Sequence, residues 1–173
     1  SHCRIGANAI IRASAIEDRV RIESSTIEDS TIGPDSDVGP YAHLRNGTAL
    51  GAHVHIGNFA ELKNASVGDD SRIGHFSYIG DAGLGADVNI GAGTVTCNFD
   101  GVDKHHTEIG NGAFIGSDSM LVAPLTIGAQ ARTGAGAVVT KDVAAGATVV
   151  GMPARQIRRK RVNSEDPPRG GEA

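Results

Sequence analysis

Tryptophan is missing from this chain of 173 residues, and with two tyrosines and four phenylalanines the aromatic share is 3%. Together with a net charge of -4, that scarcity argues against a nucleic-acid partner, which calls for basic patches and rings to stack bases on. Cysteine is nearly as rare, and Cys3 and Cys97 stand far apart in unlike settings. No structural disulfide is expected, and a reducing compartment, the cytoplasm, is the simpler setting. No apolar run approaches the roughly 20 residues of a membrane span, and no targeting segment is visible. The first residue is Ser1 rather than Met, which suggests a processed or excised chain. Glycine, by contrast, is abundant at 24 residues. It follows no three-residue period, and Val, Ile and Leu are plentiful, so neither a collagen-like nor a disordered chain fits.

The apolar residues keep a beat of six. Ile32, Val38, Leu44, Leu50, Ile56 and Leu62 are followed, after a slip of one, by Val67, Ile73 and Ile79, then Leu84 and Ile90. After a break the beat returns at Ile109, Ile115, Leu121 and Ile127, usually with a small residue next. Six matches neither the 3.6 of a helix nor the 2 of an ordinary strand. It is the hexapeptide signature of a parallel β-helix, in which three short strands and three corners make a triangular coil of about eighteen residues. The spacing predicts an all-β fold of about eight coils over residues 1–152, stabilised by stacking of neighbours. A weaker beat at Ile5, Ile11, Ile16, Ile22 and Ile27 predicts irregular first coils. Residues 153–173 read as a basic run, Arg158 to Arg161, and then a polar tail expected to be partly disordered.

Two departures from the beat point to a site. Nineteen residues separate Ile90 from Ile109, more than whole hexads fill, so a loop near residues 96–107 is predicted to protrude. Insertions in a solenoid gather on one face and often line the binding site. One to two coils earlier lies a polar cluster of Asn58, Glu61, Lys63, His75, Tyr78 and Asn89. A coil of about eighteen residues brings Asn58, His75 and Phe76 onto adjacent rungs.

These residues also carry a family resemblance. Gly39-Pro40-Tyr41-Ala42-His43-Leu44-Arg45, Gly57-Asn58-Phe59-Ala60-Glu61-Leu62-Lys63-Asn64-Ala65 and Gly74-His75-Phe76-Ser77-Tyr78-Ile79-Gly80-Asp81-Ala82 form its first part. Asn89 to Gly101, with Lys104 and Thr107, then Gly116-Ser117-Asp118 and Leu121-Val122-Ala123-Pro124, extend it. Over about residues 20–150 the chain closely resembles the acetyltransferase domain of the bacterial bifunctional N-acetylglucosamine-1-phosphate uridyltransferase/glucosamine-1-phosphate acetyltransferase family.

The resemblance implies a left-handed β-helix. It also implies transfer of acetyl from acetyl-CoA, as co-substrate, to the amine of glucosamine 1-phosphate for cell-wall precursor synthesis, with no metal. His75 matches the general base, which must titrate near neutrality, with Glu61 a candidate orienter. Arg45 and Lys63, with Lys104 from the loop, match the sugar-phosphate cations, and Tyr78 and Asn89 match positions that hold the sugar. Amides near Ala92 or the Asn98 side chain are candidate oxyanion donors. The acetyl-CoA side is carried over to Ala92, Asn98, Phe99, Ser117 and Ala135.

The chain departs from the family at two places. Phe99 stands where Tyr is usual, keeping the ring but not the hydroxyl. Met152 aligns with an arginine that relatives use for CoA phosphates, which leaves Arg155 or Arg158 as substitutes. Kinship further implies a homotrimer of parallel prisms with sites at subunit boundaries. Nothing here resembles the Gly-rich loop of the family's nucleotidyltransferase domain, so uridyl transfer is not expected of this chain. Three other functions compete: a hexapeptide acyltransferase with a different amine acceptor, a silent trimerisation or sensory module, and a zinc-dependent β-helical carbonic anhydrase. The short His-x-x-x-x-His spacing of the last is missing.

Overall fold

The computed structural model describes residues 1–157. The basic run from Arg158, that candidate arginine and the polar tail lie outside the described residues. The chain winds as a left-handed parallel β-helix. Along one face nine strands stack in parallel, from Arg4–Ile5 to Thr148–Gly151, and Ala154–Ile157 then turns back antiparallel on the ninth.

Three inward ladders account for the beat. Ile22, Val38, Ile56, Ile73, Ile90 and Ile115 stand in register on the first face. Ile27, Leu44, Leu62 and Ile79 build the second, and Ile32, Leu50, Val67, Leu84, Ile109 and Ile127 the third. All are buried, and each aliphatic side chain so covered contributes roughly 1.5–3 kcal/mol relative to exposure. The first coil has a neighbour on one side only, so Ile5 and Ile10 remain 47% and 44% exposed.

The expected eight coils appear as nine stacked rungs separated by eight steps, and the long step from Asn89 to Phe114 that carries the loop offsets those shorter than three full hexads. The steps from Arg21 to its register partner Asp37 and from Glu61 to Tyr78 both fall short of that length. Only some coils, such as Thr107 to Leu125, reach it.

The apparent break in the beat has a simple cause. Thr96 falls one hexad after Ile90, sits fully buried at the marker position and bonds through its hydroxyl to the Gly80 amide and carbonyl at 2.7 and 2.9 Å. An apolar count passes over it. The excursion therefore lies between the strands Val95–Cys97 and Thr107–Ile109. Both pair with the strand Tyr78–Leu84, but the step from Ala82 to Thr107 is far longer than the step from Tyr78 to Val95, and the difference is the loop.

Candidate functional site

His75 ends the strand Arg72–His75 at a corner of the prism, in register with Asn58 on the coil before. Its Nδ1 lies 2.8 Å from Asn58 Oδ1. An amide oxygen only accepts, so Nδ1 carries the proton and the exposed ring keeps Nε2 as an acceptor. The Ser77 hydroxyl donates to the His75 carbonyl at 2.8 Å and holds the turn from within.

Beyond this histidine the corner carries aromatic rings in unusual backbone. Tyr41, Phe59 and Phe76 have φ of 61°, 60° and 22° and are 62%, 59% and 58% exposed. Bulky residues seldom occupy that region. The Tyr41 and Phe59 rings stack with centroids 5.3 Å apart. One rung past Phe76 stands Gly93, with φ of 74°, where an added Cβ would meet Asp118 Oδ1 at 2.1 Å and the Phe76 ring at 3.1 Å. The ring column therefore ends on a position where a side chain would crowd Asp118 and the Phe76 ring.

The face that follows holds the cations. Arg45 and Lys63 are neighbours in register, Lys63 faces Gly80 on the next rung, and Glu61 faces Tyr78. Arg45 Nε and Nη2 donate to Glu61 Oε1 at 2.9 and 2.6 Å. Glu61, expected to orient His75, is thus engaged by Arg45, and Asn58 is the residue bonded to the imidazole. A Cβ at Gly80 would lie 2.4 Å from the Tyr78 hydroxyl oxygen. The phenol therefore lies along the strand over Gly80, the register partner of Lys63.

At the far edge of this face comes a second corner. Asp81 there is 9% exposed. Its Oδ1 accepts from Asn64 Nδ2 at 2.8 Å and lies 3.9 Å from Lys63 Nζ, while Oδ2 accepts from Asn98 Nδ2. Burial pushes the carboxyl up. Hydrogen bonds from Asn64 and Asn98, with the charges of Lys63 and Lys104, nevertheless hold it below its ordinary value. One N–H of Asn98, an expected oxyanion donor, is thus committed to Asp81. The Lys104 ammonium is pushed below its ordinary value, first by Lys63 and then by desolvation.

The protruding loop is stapled by its own residues. Asp100 Oδ1 accepts the amides of Val102 and Asp103 at 2.8 Å, Oδ2 lies 2.7 Å from His105 Nε2, and Phe99 bridges to Lys104. The His105 contact, then the two amides, hold the Asp100 carboxyl well below the usual carboxylate range. The His105 amide donates to the Asn98 carbonyl at 2.7 Å and closes the loop at its root.

Ala92, Ser117 and Ala135 stack along the His75 corner. The amides of Asp118 and Gly136 donate to the Ala92 and Ser117 carbonyls at 2.7 and 2.8 Å. Phe99 is 59% exposed on the loop. Arg155 faces Val150 in the closing hairpin.

Not all the candidates meet within this single chain. Asn89 lies on the face of Arg72 and Phe114, its partners in register, and not on that of Lys63 and Tyr78. His75 stands at one corner while Asn98 and Lys104 rise from the next. Asp81 was absent from the sequence-based candidates although its signal was legible: Asn64, Asp81 and Asn98 recur at equal spacing, each one coil after the last.

Comparison with known proteins agrees with this geometry. Residues 106–141 match the model described as bacterial transferase hexapeptide (six repeats). The bifunctional protein GlmU of Heliobacterium modesticaldum is 52% identical over 156 residues, 90% of this chain and 34% of that protein. The chain thus spans about a third of the length of the curated relatives it matches. Among solved structures, LpxA of Bacteroides fragilis, a UDP-N-acetylglucosamine acyltransferase, superposes with a TM-score of 0.70 at 16% identity. That match covers 90% of this chain and 70% of LpxA and speaks for the fold. The acetyltransferase domain of PglB from Neisseria gonorrhoeae, solved with acetyl coenzyme A, gives 0.53 at 26% identity, covering 71% of this chain and 55% of that one. Stacked hexads, the inserted loop and identity near one half across most of its length make this chain a member of the bacterial hexapeptide transferase family, within the GlmU branch.

Proposed function

We propose that this chain transfers the acetyl group of acetyl-CoA to the amine of glucosamine 1-phosphate, giving N-acetylglucosamine 1-phosphate and CoA. The observation that carries this reading is the row of Arg45 and Lys63 in register on one face, with Tyr78 lying over Gly80 on the next rung. Two cations on adjacent rungs of one face, with Lys104 on the neighbouring loop, call for a polyanion such as a phosphate monoester.

The chemistry follows from the other corner. His75 Nε2 accepts a proton from the sugar amine as the nitrogen attacks the thioester carbonyl. The tetrahedral intermediate places its negative charge on the former carbonyl oxygen, within reach of backbone N–H groups near Ala92. Collapse breaks the carbon–sulfur bond, and the protonated His75 returns its proton to the CoA thiolate. Asn58 keeps the imidazole in the tautomer this needs and stabilises the imidazolium by accepting from Nδ1. Glu61 holds Arg45 in place. No step requires a metal.

Acetyl-CoA is assigned to the edge formed by Ala92, Ser117 and Ala135. The phenyl ring of Phe99 flanks it, and Arg155 lies toward the phosphates. The solved complex of the PglB acetyltransferase domain with acetyl coenzyme A supports that class of donor. A trimer completes the site: a parallel neighbour brings its Lys63, Asn98 and Lys104 corner against the His75 corner of the first copy, covering Tyr41, Phe59 and Phe76. Among the described residues no helix is long and apolar enough to cross a membrane, in keeping with a cytoplasmic enzyme of precursor synthesis.

The test is acetyl-CoA-dependent thiol release with glucosamine 1-phosphate, glucosamine and glucosamine 6-phosphate as acceptors. Turnover confined to the 1-phosphate is expected. Turnover with another amine alone replaces this reading by that of a different acyltransferase, and inertness toward all three replaces it by a non-catalytic module.

A further inference from the structure

We propose that Asp81 is a positioning residue for acetyl transfer: it turns the Asn98 side chain at the root of the protruding loop so that the amide oxygen faces the acceptor amine. The inference rests on the acetyl-transfer reading above. Among the described residues Asp81 is the one charged side chain in the buried set. Burying a carboxylate is costly unless donors surround it, and here the donors are Asn64 Nδ2, Asn98 Nδ2 and the more distant Lys63 ammonium.

The geometry constrains chemistry as well as place. An ionised carboxylate only accepts, so Asn98 must turn Nδ2 toward it, because the flipped amide would set oxygen against oxygen. Oδ1 is then the end directed away from Asp81. Since the Asn98 carbonyl is already held by the His105 amide at 2.7 Å, the residue is fixed at both backbone and side chain. An acceptor at that point suits an attacking amine, which has N–H groups to donate while its lone pair turns to the thioester. The same carboxylate faces Lys63 through its other oxygen, so one buried group ties the orientation of Asn98 to the phosphate-binding ammonium.

The experiment compares the full chain with Asp81→Asn, Asn98→Ala and the double variant in the thiol-release assay. It also follows the Asn98 side-chain amide by NMR. Asp81→Asn is expected to lower kcat about tenfold or more, the usual scale for loosening the support of a reacting group. The double variant should fall no further than Asn98→Ala alone, and the slowly exchanging Asn98 Nδ2 protons of the wild type should lose their protection in Asp81→Asn. Wild-type kcat in Asp81→Asn, a double variant that falls by the product of the single effects, or an unprotected Asn98 amide in the wild type would each overturn the proposal. The wild-type resonance needs no variant, so an unstable Asp81→Asn leaves the test standing. A wild-type chain that moves no acetyl overturns the reaction instead, while the resonance still decides the orientation.

Discussion

The two corners flanking the cationic face meet the same backbone demand with opposite chemistry. At both, the chain turns through left-handed φ, at 60° for Phe59 and 49° for both Asn64 and Asp81. Short polar side chains tolerate that region because they bond locally. The Asn64, Asp81 and Asn98 corner does so, linking three coils through side chains along the prism axis. The His75 corner instead carries large rings in strained backbone and leaves them more than half exposed. A corner satisfied from within can anchor a loop. One that displays rings and a free imidazole nitrogen is built to meet something else, and strain kept at such a position is a usual mark of function.

The largest effect expected from breaking this contrast is at the imidazole. His75→Ala should cut kcat/KM by about 10²- to 10⁴-fold, the range for a lost general base, with an unchanged thermal midpoint because the ring is exposed. A comparable loss of stability in the melting curve would show His75 to be structural. Next comes Phe59→Asp, which sets a charge among the rings: light scattering should show the proposed trimer falling to monomer, with activity lost in parallel. An intact trimer would remove the rings from the interface.

On the polar side, Lys104→Ala should raise KM for glucosamine 1-phosphate about 10- to 100-fold with a smaller change in kcat, matching the ~1.5–3 kcal/mol of a hydrogen bond to a charged group. Steady-state kinetics with and without the phosphate on the acceptor separates this from a general loosening of the loop. The smallest effect belongs to Phe99→Tyr, which restores a hydroxyl to an exposed ring and should shift KM for acetyl-CoA less than about threefold, as surface changes usually do.

Much of this was legible in the chain itself. The beat named the inward ladders residue by residue, since every sixth side chain must stack on the one a coil earlier. It missed Thr96, because a hydroxyl satisfied by the Gly80 backbone behaves as a core residue while counting as polar. The rung of Asn58 and His75 followed from coil length. The partner of Glu61 did not: strand alternation sets its face, but whether it reaches Arg45 or His75 depends on where the neighbouring rungs place their side chains.

By itself the sequence determined the coil, its three apolar ladders, the position of the inserted loop and the residue types available to a site, because periodicity and loop length are local and stacking makes them repeat. Only the tertiary structure decided the length of each rung, the pairing of Arg45 with Glu61 and the orientation of Asn98 against Asp81. The last two depend on which rungs face one another, since steps vary irregularly, short from Arg21 to Asp37 and from Arg132 to Thr148 and full from Thr107 to Leu125. They depend as well on hydrogen bonds between side chains a whole coil apart, which no single stretch of chain encodes.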